Sequence, residues 1–297
     1  MKYLILLFVV AITSKSFADI LSDAAHAYER GDYTAAITSY EKLAKQGDAQ
    51  AQLNLGWMYD NGEGTPQDYK QALHWYTKAA EQGHADAQHN LGFMYKNGEG
   101  TLQDYKQAIK WYTKSAEQGY AAAQFNLGLI YDTAQSTPQD YKQALYWYAE
   151  AAEQGNEEAQ FNLGAMYHKG EGTSQDYEQA FKWYTKAAEQ GNVEAQTNLG
   201  FMYDTGEGTL QDYKKALKWY TKAAEQNYGK AQFNLGFMHV KGEGTPQDYV
   251  MAHMFWNIAS ISGTENAKVN RDKVEDMMTS SQIEEAQQLA KEWMEKH

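Results

Sequence analysis

A period of 36 residues governs this chain. The pair Ala-Gln begins at 51, 87, 123, 159, 195 and 231, Asn-Leu-Gly at 54, 90, 126, 162, 198 and 234, and Gln-Asp-Tyr at 67, 103, 139, 175, 211 and 247. Residues 90–105 (NLGFMYKNGEGTLQDY) and 198–213 (NLGFMYDTGEGTLQDY) differ at only two of sixteen positions. A fixed period of this size is the signature of a solenoid, because one unit cannot bury its apolar face alone and must stack on its neighbour. Six units run over 48–263, and Gly31–Gly47 aligns with the second half of another. The expected organisation is a partial first unit over 19–47, six repeats over 48–263 and a C-terminal helical cap over 264–297.

Each unit reads as two helices. Ala51, Leu55, Met58 and Tyr59 fall on one helical stripe, and Tyr69, Ala72, Leu73, Tyr76, Ala79 and Ala80 on a second. Asn61-Gly62-Glu63-Gly64 separates them, with two glycines for positive φ angles. Thr65-Pro66-Gln67-Asp68 predicts a helix start with Thr65 as N-cap and Pro66 at the first helical position. Gly83 closes the second helix, and Asp48, Asn156 and Asn192 are expected to cap first helices. Gly56 predicts a close crossing against Ala72. In the third unit Ala134-Gln135-Ser136 replaces Gly-Glu-Gly, which predicts a reshaped connection. At the C-terminus Thr279-Ser280-Ser281-Gln282 fits a capping box before a charged amphipathic helix.

The first eighteen residues carry a different message. Lys2 precedes an unbroken apolar run from Leu4 to Ile12, and Ser16 and Ala18 place small residues before a cut at Asp19. This is the pattern of a secretory signal peptide, and the run is shorter than the ~20 apolar residues that span a bilayer. A periplasmic or secreted protein is expected, the alternative being a buried N-terminal helix. The chain has no cysteine, which excludes thiol chemistry, disulfides and attachment through an N-terminal cysteine. Removing residues 1–18 takes two lysines and no acid, leaving 24 basic residues against 39 acidic, a charge of −15. Such a surface repels nucleic acid and anionic lipid and favours a neutral or basic partner in a salt-sensitive association.

The spacing AxxxLGxMYxxGEGTxQDYxxAxxWYxKAAEQG resembles the Sel1-like repeat, a relative of the tetratricopeptide repeat with a longer inter-helix loop. The resemblance covers about 31–263. It implies an all-α fold, an α/α right-handed superhelical solenoid, serving as an adaptor or protein-interaction scaffold. Exported bacterial members are associated with envelope complexes or host-cell interaction. Some cysteine-rich members are linked to β-lactam binding or hydrolysis, but this chain has none of their cysteines.

Two sets of residues are candidates for partner binding. The positions of 53, 57 and 60 share a helix face and vary from unit to unit while staying aromatic: Trp57, Phe93, Phe125, Phe161, Phe201 and Phe233 stand among them. They fit a groove that reads a non-repeating ligand, or else ordinary packing between adjacent first helices. The second set is Asn54, Asn90, Asn126, Asn162, Asn198 and Asn234. Asparagine inside a helix costs about 0.6 kcal/mol relative to alanine, so six must be offset by something. Resemblance to tetratricopeptide repeats implies a ladder of amides on the concave face that hydrogen-bonds a peptide backbone; the alternative is an internal bond to a neighbouring helix or loop.

No catalytic constellation emerges. Ser39-Tyr40-Glu41-Lys42 matches Ser-x-x-Lys without a Lys-Thr-Gly or Ser-Asp-Asn companion. His84, His89, His239 and His253 lack the spacing of a metal site, and Gly62-Glu63-Gly64 joins two helices where a dinucleotide loop joins strand to helix. A non-enzymatic chain without cofactor or metal is expected. A regulator of cell-wall enzymes or a glycan binder is the second reading, and a β-lactam-directed enzyme the remote third.

Overall fold

The computed structural model describes residues 16–133 and 139–297, which form sixteen helices and no strand. Residues 1–15 of the expected signal peptide and the Ala134–Ser136 substitution lie outside the described residues. The chain divides into two compact units, Met1–Ala123 and Gln124–His297.

In the N-terminal unit, α1 (Phe17–Glu29) pairs with α2 (Tyr33–Lys45), α3 (Ala49–Asn61) with α4 (Tyr69–Glu81), and α5 (Ala85–Asn97) with α6 (Tyr105–Ala116); α2 also packs on α3 and α4 on α5. Ser16 caps α1 in a reciprocal capping box with Asp19, so the expected cut after Ala18 falls in the first turn of this helix. α7 (Ala121–Asp132) carries the boundary between the units. The C-terminal unit continues with α8 (Tyr141–Glu153), then the pairs α9 (Glu157–Lys169) with α10 (Tyr177–Gln190), α11 (Val193–Thr205) with α12 (Tyr213–Glu225), and α13 (Gly229–Lys241) with α14 (Tyr249–Ile261). α15 (Ala267–Glu275) and α16 (Ser280–Lys296) both lie on α14. The fold is an all-α solenoid of helix pairs.

The core is the sum of small clusters at successive pair boundaries. Ala51, Leu55 and Met58 on α3 and Ala72, Tyr76, Ala79 and Ala80 on α4 are buried, as the two stripes require. Tyr69 is the exception. It is exposed, and its hydroxyl accepts from Gln67 Nε2 at 2.9 Å. Gly56 does make a close crossing, but with the Tyr76 ring and not with Ala72: a Cβ there would stand 2.6 Å from Tyr76 Cδ1. The same glycine–tyrosine pairing recurs at Gly92–Tyr112, Gly128–Tyr148, Gly164–Tyr184 and Gly200–Tyr220.

The second helix starts later than Thr65-Pro66 predicts. Asp68 is the N-cap, and its Oδ1 accepts from the amides of Lys70 (2.9 Å) and Gln71 (3.1 Å). The residues before it stay non-helical because the loop is tied back to the first helix. Asp68 N donates to Tyr59 O at 2.8 Å, and Gln67 Nε2 donates to Asp60 O at 2.7 Å. This glutamine bond recurs at Gln103, Gln139, Gln175, Gln211 and Gln247 at 2.6 to 2.8 Å. The repeated Gln-Asp is therefore a loop clamp joined to a cap. Asp48, Asn156 and Asn192 cap their helices as expected, each accepting an amide at 2.7 to 2.8 Å. Thr279 and Gln282 form the capping box of α16.

A second polar repeat is internal. Gln52 of the Ala-Gln pair is buried; its Nε2 donates to Ala44 O at 3.0 Å and its Oε1 accepts from Gln82 Nε2 at 2.7 Å. Gln160 and Gln196 repeat both bonds in the C-terminal unit. A buried amide with both ends satisfied fixes one spacing between successive pairs, which an apolar contact alone does not.

Candidate functional site

The six asparagines sit on first helices and are all half-buried. In the N-terminal unit the Asn54 amide faces the Tyr40 hydroxyl and Asn90 that of Tyr76, in the sense that lowers the phenol pKa against burial. In the C-terminal unit the pairs are Asn162 with Tyr148, Asn198 with Tyr184 and Asn234 with Tyr220. Each tyrosine belongs to the second helix before the asparagine, and each is at most 3% exposed. Burial raises all five hydroxyls above the ordinary phenol range. Tyr76 in turn donates to Asp60 and Tyr148 to Asp132, both at 3.3 Å. Burial, reinforced by Glu99 and Glu171 respectively, raises these two carboxyls against the lowering effect of the tyrosine bond. The amide oxygens are engaged too: Asn54 Oδ1 accepts from Gln50 Nε2 at 3.0 Å, and Asn90 Oδ1 lies 3.2 Å from His89 Nδ1. Asn126 keeps the same register on α7.

Five of these amides therefore face a buried tyrosine hydroxyl of the preceding helix, a polar contact able to offset the helix cost of asparagine. Replacing Asn198 with alanine removes the donor to a buried hydroxyl, worth about 1–2 kcal/mol, and recovers about 0.6 kcal/mol of helix propensity. A net loss near 1 kcal/mol is expected in urea unfolding. A gain in stability would show that the tyrosine bond contributes nothing and that the asparagine is kept for another purpose.

The aromatic stripe splits in two. At the first position, Phe125 packs on Tyr148 and Phe161 on Tyr184, both with ring centres 5.9 Å apart, and Phe233 lies edge-on to Phe237 at 5.0 Å. Leu53 and Thr197 are buried at the same register, and burial lowers the pKa of His89 where it sits between Tyr112 and Tyr120. At the second position, Trp57 is 47% exposed and Phe93 and Phe201 are each 41% exposed. Phe125, Phe161 and Phe233 thus serve the helix contacts, and Trp57, Phe93 and Phe201 are displayed.

Clefts open beside the displayed residues. In the C-terminal unit a cleft of about 550 Å³ is lined by Phe161, Asn162, Ala165, His168, Asn198 and Phe201 among others, and one of about 300 Å³ by Phe201, Asn234 and Phe237. His168 Nε2 lies 3.1 Å from Glu207 Oε2 at the rim of the first. In the N-terminal unit a cup of about 390 Å³ is lined by Ala25, Tyr28, Glu29, Tyr40, Asn54 and Trp57. Tyr28 and Glu29 escape a reading of the repeats because α1 carries none of the repeat motifs. Among the described residues no three His, Asp or Glu side chains are grouped to hold a metal ion, and no helix is long and apolar enough to cross a membrane.

The Sel1 repeat model matches residues 49–84, 85–120, 121–156, 157–192, 193–228 and 229–263. No curated protein gives a match. Among solved structures, a Sel1 repeat protein from Oxalobacter formigenes is 34% identical over 82% of this chain and 99% of its own, with a TM-score of 0.69. The protein c5321, a protective antigen present in uropathogenic Escherichia coli strains and displaying an SLR fold, is 33% identical over 95% of this chain and 69% of its own, with a TM-score of 0.62. Six tandem matches on a solenoid of helix pairs leave one conclusion: the chain belongs to the Sel1 repeat family, whose members generally mediate protein–protein interaction.

Proposed function

We propose that this chain is an exported binding scaffold that holds a peptide-like segment of another protein along the face of its first helices. The observation that carries this reading is the display of Trp57 and Phe93 on first helices of the N-terminal unit and of Phe201 at the same repeat position in the C-terminal unit, each more than 40% exposed, with clefts beside Trp57 and Phe201. A large ring held in water gains by being covered, and rings of this kind are the usual anchors of an interface. The half-buried side-chain amides of Asn162, Asn198 and Asn234 are the polar complement, suited to a peptide carbonyl. Export rests on the pattern of residues 1–18 and accords with a relative that is a protective antigen. The formal charge of −13 favours a neutral or basic partner.

The test is retention of proteins from envelope extract on the immobilised chain, compared with a Trp57→Ala/Phe93→Ala/Phe201→Ala variant. Each ring is still about half covered and the Trp57 indole bonds Tyr28, so a loss of about 1–3 kcal/mol is expected and both columns are run where the variant remains folded by its urea curve. Loss of at least tenfold in retention of a specific protein is expected. Equal retention by both columns would place binding on another surface.

A further inference from the structure

From the cup around Trp57 we infer a recognition pocket for a cationic side chain, an arginine or lysine of the bound segment. This rests on the scaffold reading above and assigns its N-terminal end a chemistry. The cup is walled by three aromatic residues, Tyr28, Tyr40 and Trp57. Its lining includes the carboxylate of Glu29 and the Asn54 amide and contains no basic residue, whereas Lys169 and Lys241 line the clefts of the C-terminal unit.

The walls are held in place by hydrogen bonds. Tyr28 Oη donates to Glu63 Oε2 at 2.6 Å and accepts from Trp57 Nε1 at 3.2 Å. This fixes the indole by its edge and brings a second carboxylate to the rim. Glu63 reaches that position because Gly62 ends α3 in the left-handed region and Gly64 lies against the Tyr33 backbone of α2. At the corresponding place in the C-terminal unit Glu207 meets His168, a group able to carry positive charge. Beside the cup the partner of Glu63 is the Tyr28 phenol. A guanidinium or ammonium entering between the rings would find Glu29 and Glu63 as counter-charges and the indole as a cation–π surface. Asn54, whose Oδ1 accepts from Gln50 Nε2 and whose amide faces Tyr40, completes the lining.

The probe is the blocked tripeptide acetyl-Gly-Arg-Gly-amide, with the citrulline tripeptide as its neutral isostere. Full-length protein labelled with 5-fluorotryptophan gives eight fluorine resonances, and that of Trp57 is identified by its loss in Trp57→Phe. The arginine peptide is expected to shift this resonance in a saturable way, at least fivefold more tightly than the citrulline peptide. Glu63→Gln, which preserves a bond to Tyr28, and Glu29→Gln should each weaken it several-fold. Equal response to both peptides, or indifference to both glutamine variants, overturns the cation pocket. A shift produced only by a glycan probe such as tri-N-acetylchitotriose also overturns it and assigns the cup to sugar. The outcome is separable from that of the scaffold reading: a protein partner lost with Phe93 and Phe201 but insensitive to arginine leaves the scaffold and removes the pocket. Arginine binding without any such partner leaves the pocket alone.

Discussion

Replacing Gly64 with alanine is expected to destabilise the chain by about 2–5 kcal/mol, far more than the same change at Gly83. Both glycines have positive φ, +72° at Gly64 and +92° at Gly83, so both substitutions carry the left-handed cost of about 1–2 kcal/mol. The surroundings differ. A Cβ on Gly83 meets nothing within 4 Å, but on Gly64 it would stand 2.6 Å from the Tyr33 carbonyl oxygen. That atom is main chain in the first turn of α2, so no rotamer change relieves the overlap, and overpacking adds about 1–3 kcal/mol. The glycines at 100, 172, 208 and 244 face Tyr69, Tyr141, Tyr177 and Tyr213 in the same way. The second glycine of Gly-Glu-Gly is therefore a stacking requirement more than a loop requirement. The check is the difference in urea midpoint between Gly64→Ala and Gly83→Ala. Equal midpoints would mean that the loop lifts off the preceding pair at no cost, and that this close approach does not set the spacing of the units.

That reading of Gly-Glu-Gly also marks where the sequence stops being legible. Period, helix pairs and most caps follow from spacing alone, because each depends on residues within one unit. The partner of a repeated residue does not, since every copy looks alike wherever its side chain goes. Each of the six asparagines has a tyrosine fourteen residues before it, across a helix boundary, as Asn90 has Tyr76, and only the fold shows that they face each other. The co-invariance was a usable signal: two polar groups that recur at one separation in every copy are candidates for each other. The start of α4 differs from its sequence pattern for a related reason. Thr-Pro reads as a cap when the chain is taken locally, but Gln67 reaching back to Asp60 O keeps the loop non-helical and leaves Asp68 as the cap. In the sequence the aromatic stripe reads as one surface because its members share a helix face. Four residues of advance along the helix turned Trp57 toward solvent and Leu53 into the helix contact. The cup at Tyr28 was invisible, since α1 has a shorter connection to α2 and shares no motif with the helices it resembles.

Ending the chain before Thr279, which removes α16, is the change with the largest expected effect. α14 is unlike the other second helices: Met254, Phe255, Trp256, Ile258 and Ala259 are all at most 4% exposed. Elsewhere in the solenoid such a face is covered by the next unit, and here no repeat follows. α16 supplies the cover, with Leu289, Ala290 and Trp293 packed on the cluster that holds Met254, Phe255 and Ile258, and Trp293 lies edge-on to Phe255 at 5.3 Å. Asn227 Nδ2 also donates to His297 O at 2.9 Å, tying the end of α16 to the start of the last full repeat. Full exposure of a large apolar side chain costs about 1.5–3 kcal/mol, so partial uncovering of three or four gives about 3–6 kcal/mol. In a solenoid that loss falls on the nearest pair and is passed on only through neighbour contacts. The truncated chain should bind a hydrophobic dye and self-associate, and amide exchange should quicken in α13 and α14 while α9 and α10 keep their protection. A truncated chain that stays monomeric with α14 fully protected would show α16 to be a passenger and leave α15 as sufficient cover for the end of the solenoid.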